Sequence, residues 1–369
     1  EKLFDAGLLQ DKIKLIEHRP SAQQIEFEVS GIDFESTPKA FRSTFVSPFQ
    51  RFSTLHKSKI CSLGLSPKES LVISGGENGE LLVWEAASGA IVRELNGHKG
   101  DIFCCGFFPS GEVMLSGSGD LKVKIWSLAT GNCAATLSGH VGGVLDLAII
   151  ERGRNLISVG RDGRAVLWDV STQQIIKTFQ EEETSAFYSC QLLPTNQYSS
   201  GEATPKEVGT SGKVLVTCGK SGNATFFDLI SGKQILSLSS SAPITSCCSY
   251  DQNSICVGNE AGEIIQFDTR FLNSNEKGEE KLWKNDSKGR APVTAMKNRG
   301  KEIWVGRSRG VVEQWCPGQA VNVSPLQLTG PCYDPVSSIV VTQGGVVTGC
   351  RDRVVRVYKL GSELSRNKT

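Results

Sequence analysis

Histidine is scarce in this chain, and its scarcity limits the possible chemistry. The 369 residues hold four histidines. Three of them, His56, His98 and His140, recur at one fixed interval, so only His18 stands outside the pattern. A zinc site built on imidazoles therefore has little to draw on. The 12 cysteines include no C-x-x-C. The adjacent pairs Cys104-Cys105 and Cys247-Cys248 do not bridge easily to each other. Cys61, Cys190, Cys218 and Cys256 fall inside apolar strand patterns, which reads as small buried thiols in a reducing compartment. No apolar run approaches the about 18 residues that a spanning helix requires. A G-x-x-x-x-G-K-[ST] phosphate loop is missing, because Gly212-Lys213 is followed by Val214 and Gly232-Lys233 by Gln234. Net charge is only +1, so no global charge draws the chain to nucleic acid or membrane. Its scattered arginines lack an aromatic stacking platform. The expectation is a chain without metal, cofactor or nucleic acid.

What the chain has is glycine, 39 residues of it, and a repeat. Gly97-His98 is followed by Ser116-Gly117-Ser118-Gly119-Asp120 and then Ile125-Trp126. Gly139-His140 is followed by Ser158-Val159-Gly160-Arg161-Asp162 and then Leu167-Trp168-Asp169. One interval earlier stand His56, Ser74, Asn78 and Trp84, with Asn where the other copies have Asp. Between His and Asp lie two alternating segments and a turn, as in Asp101 to Phe108, Pro109-Ser110-Gly111, and Val113 to Ser116. Ser, His and Asp also make up a catalytic triad, but a single active site would not recur at fixed spacing beside a Trp. No other His–nucleophile pair is visible, and no enzymatic activity is expected.

A period of roughly 40–45 residues opening on Gly-His and closing on Trp-Asp resembles the WD-repeat β-propeller family. The resemblance implies an all-β fold with one four-stranded blade per repeat. It also implies that His56, Ser74, Asn78 and Trp84, then His98, Ser116, Asp120 and Trp126, then His140, Ser158, Asp162 and Trp168, form hydrogen-bonded tetrads inside their blades. The chemistry suits that role, since a buried carboxylate needs donors and an indole N–H needs an acceptor. Blade 1 would carry the weaker tetrad, because of Asn78.

The remaining chain reads as weaker copies. Blade 4 breaks the register with a polar insert at 194–212 and shows Phe227-Asp228 in place of Trp-Asp. Blade 5 has Phe267-Asp268, then a loop at 273–278 and an edge strand at 281–284. Blade 6 keeps Trp315; blade 7 keeps Thr348, Asp352 and Tyr358. Glu181-Glu182-Glu183 reads as a solvated loop. Blade 7 has three strands before a polar tail at 361–369. Thr44 to Ser53 has no earlier partners, so it is expected to close blade 7, which removes the open edges of a seven-bladed ring. The domain expectation is a propeller at 44–360 after an extension at 1–43. That extension would hold a β-hairpin or two short strands, Lys12 to Glu17 and Gln24 to Val29, and a linker, Glu35 to Arg42.

A narrower resemblance rests on several pieces in order. They are Gly97 to Gly111, Gly153-Arg154-Asn155 with Ser158 to Gly163, Glu207-Val208-Gly209-Thr210, and Asp334-Pro335-Val336 with Cys350-Arg351-Asp352. Together they resemble the proteasomal ATPase-associated factors among WD-repeat proteins. That resemblance implies a monomeric, non-enzymatic chaperone in the cytoplasm and nucleus. It would bind the C-terminal domain of a proteasomal ATPase subunit and leave the regulatory-particle base intermediates before the mature proteasome forms.

The residue before each tetrad Asp is expected to face the end of the ring that bears the His loop. Around the ring these are Glu77, Gly119, Arg161, Lys220, Glu260, Ser308 and Arg351, with Arg307, Arg309 and Arg353 close by. A patterned charged face of this kind suits recognition of a charged protein surface. Two other readings compete. Phe267-Asp268-Thr269-Arg270 comes near the Trp-Asp-x-Arg box of cullin-ligase substrate receptors but lacks the Trp, and Trp168-Asp169-Val170-Ser171 lacks the Arg. A peptide or histone-tail reader at the central channel is the other.

Overall fold

A computed structural model describes residues 13–19, 24–29, 41–181, 184–194, 203–270, 283–284, 291–316, 326–330 and 333–360. The acidic residues 182–183, the insert's 195–202, the loop at 273–278 and the tail at 361–369 lie outside the described residues, as does most of the linker at 35–42. The strands form seven sheets arranged as the blades of a propeller. Six sheets have four strands and one has seven. Blade 2 shows the plan: Ile102–Phe107, Val113–Ser118, Lys122–Ser127 and Cys133–Ser138, each antiparallel to the next. Second strands are the most buried, as Asn155–Gly160 and Ser254–Asn259 illustrate with every residue buried. They read as continuous apolar or small runs because neighbouring blades cover both faces. The cores accordingly span blade boundaries: Val144 and Trp168 of blade 3 share a cluster with Leu115 and Val123 of blade 2.

The expected closing strand splits in two. Gln50–Phe52 pairs with Val355–Lys359 and completes blade 7. The residues before it belong to Phe41–Val46, which runs parallel to Leu326–Leu328 at the edge of blade 6. Pro48 supplies the reason: it has no N–H to give a ladder, and it sits buried between the two strands. Val46 anchors the parallel strand, packing with Trp304 and Tyr358. Ile13–Arg19 and Gln24–Val29 form an antiparallel hairpin that continues this sheet outward, so blade 6 has seven strands. Phe41 begins a strand within the expected linker.

All seven innermost strands carry the same irregularity near their start. The ladder slips around one residue in each: Cys61, Phe103, Leu145, Tyr188, Thr245, Thr294 and Ser337. These are β-bulges, which bend a strand and re-aim its side chain. All seven bulged residues line a central cavity of about 620 Å³. The residue after the bulge often ties one blade to the next. Asp146 accepts the Cys190 N–H at 2.9 Å, Ser189 that of Cys247 at 3.4 Å, Ser246 that of Met296 at 3.1 Å and Ser338 that of Leu63 at 3.0 Å.

Candidate partner-binding face

Three blades hold the hydrogen-bonded network built on histidine. In blade 2, His98 Nδ1 lies 2.8 Å from Asp120 Oδ2, and its Nε2 lies 2.8 Å from Ser116 Oγ. The Trp126 indole N–H donates to the same Ser116 oxygen at 2.8 Å. Since that oxygen accepts from the indole, its own proton goes to Nε2, and the Nδ1–H goes to the carboxylate. Blade 3 repeats this with His140, Asp162, Ser158 and Trp168, at 2.9, 2.7 and 2.8 Å. Ser116 and Ser158 are fully buried, so neither hydroxyl can meet a substrate.

Blade 1 differs from the expectation built on Asn78. His56 Nδ1 meets Glu80 Oε2 at 3.0 Å, while Nε2 meets Ser74 and Trp84 donates to Ser74 at 2.9 Å. Asn78 stands in the left-handed region with φ 59° and gives its backbone N–H to Asp101. The glutamate, two residues further on but one methylene longer, reaches back to the imidazole. Its carboxylate also takes the Ser58 hydroxyl at 2.8 Å. The signal was present as the second acid of Glu77-Asn78-Gly79-Glu80.

Burial pushes the His56 and His98 imidazoles below their ordinary value, against the pull of Glu80 and Asp120. Burial pushes Glu80, Asp120 and Asp162 upward, but hydrogen bonds from imidazoles and backbone N–H groups outweigh it and hold all three below the usual carboxylate range. Each network thus fastens the turn between second and third strands to the loop before the first strand.

That turn is equivalent in all seven blades. Glu77, Gly119, Arg161, Lys220, Glu260, Ser308 and Arg351 each donate a backbone N–H to the residue just before the innermost strand: Lys59, Asp101, Gly143, Ala186, Pro243, Pro292 and Pro335. These bonds place the seven side chains at one end of the ring, around the channel mouth. Arg161, Lys220, Glu260, Arg309, Arg351 and Arg353 are exposed there. Glu77 is half-buried and paired with Lys59 at 3.0 Å.

Arg307 is a correction. It is 2% exposed and is clamped by Glu313 and by the carbonyls of Gly262 and Ala291, at 2.9 and 2.7 Å. A guanidinium with five donors can brace several backbone segments at once, so this one serves as a strut between blades 5 and 6.

Leu121 was not among the residues expected on this face, and the backbone strain at Arg353, which was, was not legible. The turn requires a left-handed residue two positions after the equivalent site. Gly79, Gly163, Gly222, Gly262 and Gly310 supply it in five blades, with φ between 68 and 82°. Leu121 and Arg353 fill it in blades 2 and 7, at 70 and 68°. A Cβ costs roughly 1–2 kcal/mol in that conformation. Such strain persists where the surroundings impose it, and it clusters at functional positions. Aligning the seven turns would have revealed both residues. Leu121 is 39% exposed, and Val141 and Tyr333, on the loops leading to the channel, are 70% and 85% exposed.

The insert in blade 4 lies at the opposite end. Its second half docks on blade 3: Lys177 Nζ meets the buried Glu207 at 2.8 Å, and the Val208 N–H donates to Asn155 at 2.6 Å. Arg270, the one arginine of the near-match to the ligase box, is held by the neighbouring Asp268 through bonds of 3.0 and 3.1 Å.

The WD domain, G-beta repeat family matches residues 48–85, 89–127 and 131–169. None of the curated proteins matches the chain. Each matched stretch begins on the outer strand of one blade and ends on the third strand of the next, the stagger that lets Gln50–Phe52 close the ring. Proteins of this kind are in general non-catalytic scaffolds for protein–protein interaction. The fold is thus a seven-bladed β-propeller that carries three WD repeats between residues 48 and 169.

Proposed function

We propose that this propeller is a protein-binding scaffold that grips a charged partner with the end of the ring bearing Arg161, Lys220, Glu260, Arg309, Arg351 and Arg353. The observation that carries the reading is the sevenfold turn, which sets Arg161, Lys220, Glu260 and Arg351 at equivalent places around the ring, with Arg309 and Arg353 one and two residues further along their turns. Charges fixed this way steer encounter and select partners with little ordering cost. The partner is the C-terminal domain of a proteasomal ATPase subunit, and the chain serves as a chaperone for the regulatory-particle base in the cytoplasm and nucleus. That identity is supported by the sequence pieces quoted above, of which Asp334-Pro335 and Arg351-Asp352 belong to the proposed face.

The test is binding of the purified chain to the isolated C-terminal domain of each proteasomal ATPase, at low and high salt. Tight, salt-sensitive binding to one of them is the expected result. Binding to none would overturn the partner, and Co-purification with a cullin-ligase adaptor, lost on Arg270→Ala, would replace it.

A further inference from the structure

The channel mouth is not uniform. On blades 5, 6 and 7 the bulged residues are hydroxyl side chains that are already satisfied. Thr245 donates to Val293 O at 2.8 Å, Thr294 to Val336 O at 2.6 Å and Ser337 to Ile60 O at 2.6 Å. On blades 2, 3 and 4 the same positions hold Phe103, Leu145 and Tyr188, each half-exposed to the cavity. Three adjacent blades thus turn large apolar groups toward an opening, while the other side of the ring uses the position for inter-blade bonds. Half-exposed aromatics in a concave site are the composition of a binding surface and not of a structural seam.

Charge narrows the choice of occupant. The Arg161 guanidinium lies over the Phe103 ring, 5.0 Å from its centroid, and Lys220 holds the equivalent place on the next blade. Blade 2 has Gly119 there, so it is Arg161 of the next blade that covers one face of Phe103. Val141, 70% exposed, stands on the loop that leads into the innermost strand of blade 3. Of the acids at the equivalent turn position, Glu77 and Glu260 sit on blades 1 and 5, outside this sector; within it, Asp101 accepts the Asn78 N–H at 3.0 Å, and Asp146 accepts the Ser189 hydroxyl and the Cys190 N–H, both at 2.9 Å.

We propose that the mouth at blades 2–4 seats one aliphatic or aromatic side chain of an acidic protein segment. The apolar side chain enters between Phe103, Leu145 and Tyr188, and the flanking carboxylates meet Arg161 and Lys220. The proposal rests on the reading that this end of the ring is the partner face.

The test uses the full chain and a fluorescein-labelled seven-residue peptide with leucine at its centre and aspartate or glutamate elsewhere. A twin with serine in place of the leucine and an oligothymidylate of similar charge are the comparisons, read by fluorescence anisotropy. The leucine peptide is expected to bind at least about tenfold tighter than either. Tyr188→Ala and Arg161→Glu should each weaken it by about tenfold, while Lys301→Glu, at the opposite end, leaves it unchanged. Arg161 is exposed, so its variant remains informative even if Tyr188→Ala folds poorly; a thermal melt checks both. No binding, equal binding of the twins, equal binding of the oligothymidylate, or indifference to both variants would overturn the proposal. The two readings fail separately. ATPase-domain binding that survives Tyr188→Ala and Arg161→Glu but not Arg351→Glu would keep the face and reject the mouth. Peptide binding without ATPase-domain binding would keep the mouth and reject that partner.

Discussion

Blades 1–3 and blades 4–7 reach the same architecture by different chemistry. In the first group a histidine bridges a buried Ser and an acid, and an indole completes the chain. In the second the position paired to the second strand is Phe227, Phe267, Trp315 or Tyr358. Blade 6 braces itself with Arg307 and Glu313, and blade 7 with Arg356 and Asp352. Tyr358 sends its hydroxyl to Thr329 O at 2.7 Å. Blade 5 leaves the tetrad altogether, with Val257 where blade 2 has Ser116 and Phe267 where it has Trp126. The shared requirement is four staggered strands with buried second strands. The polar tetrad is one way to fasten the upper turn, and an arginine or an apolar filling serves elsewhere.

The comparison can be broken most sharply at two arginines. Arg307→Ala should destabilise by about 3–5 kcal/mol in denaturant unfolding, because the buried Glu313 carboxylate loses its guanidinium counter-charge. Arg351→Ala, exposed on the partner face, should change stability by less than about 0.5 kcal/mol and weaken partner binding. Equal effects would erase the distinction between strut and rim.

Two hydroxyls at matched positions should respond with opposite signs. Ser116→Ala strands the His98 and Trp126 nitrogens and should cost about 1–3 kcal/mol. Thr217 is its counterpart in blade 4, where Phe227, which has no N–H, holds the register position of the indole, and the Thr217 Oγ1 is buried without a partner. Thr217→Val should therefore stabilise by about 1 kcal/mol. Urea midpoints at constant m-value decide it.

Acid should separate the two groups as well. His56 and His98 have lowered values, so their stabilisation is complete above the unfolded value of about 6.5 and is lost as pH falls through the folded one. Glu80, Asp120 and Asp162 are also lowered, and their contribution disappears further down the same descent. Both effects run in one direction and both belong to blades 1–3. Hydrogen exchange between pH 7 and about 4 should show amides of the second strands there losing protection before those of blades 6 and 7. Uniform loss around the ring would contradict this.

The smallest effect is expected at the left-handed turn. Leu121→Gly relieves the strain of φ 70° and should raise stability by up to about 1 kcal/mol, net of the glycine's greater unfolded-state entropy. If Leu121 is kept for contact, the same change weakens partner binding. A variant with unchanged binding would remove Leu121 from the face.

The repeat spacing, the seven blades and the closure by an N-terminal strand were legible because each blade must bury the same strands on the same period. The tetrads of blades 2 and 3 were legible for the same reason, since four residue types recur at fixed offsets. Glu80 was not, because a longer side chain can do the work of a shorter one from another position. Arg307 read as a surface charge because sequence position does not report which neighbouring carbonyls surround a side chain.

What the sequence by itself determined is the local rule: which segments are strands, which turns join them, and how outer strands stagger to close a ring. Tertiary structure alone decided how the edge was finished. Pro48 splits the closing segment, and Phe41–Val46 adds in parallel to blade 6 because Val46 finds a core there beside Trp304 and Tyr358. It also decided the character of the channel mouth. Seven bulges bring residues scattered from Cys61 to Ser337 onto one ring, and only their convergence reveals that blades 2–4 turn apolar groups toward the opening. Hydrophobic period reports which face of a strand is buried. It carries no information about which distant strands share the space that face looks into.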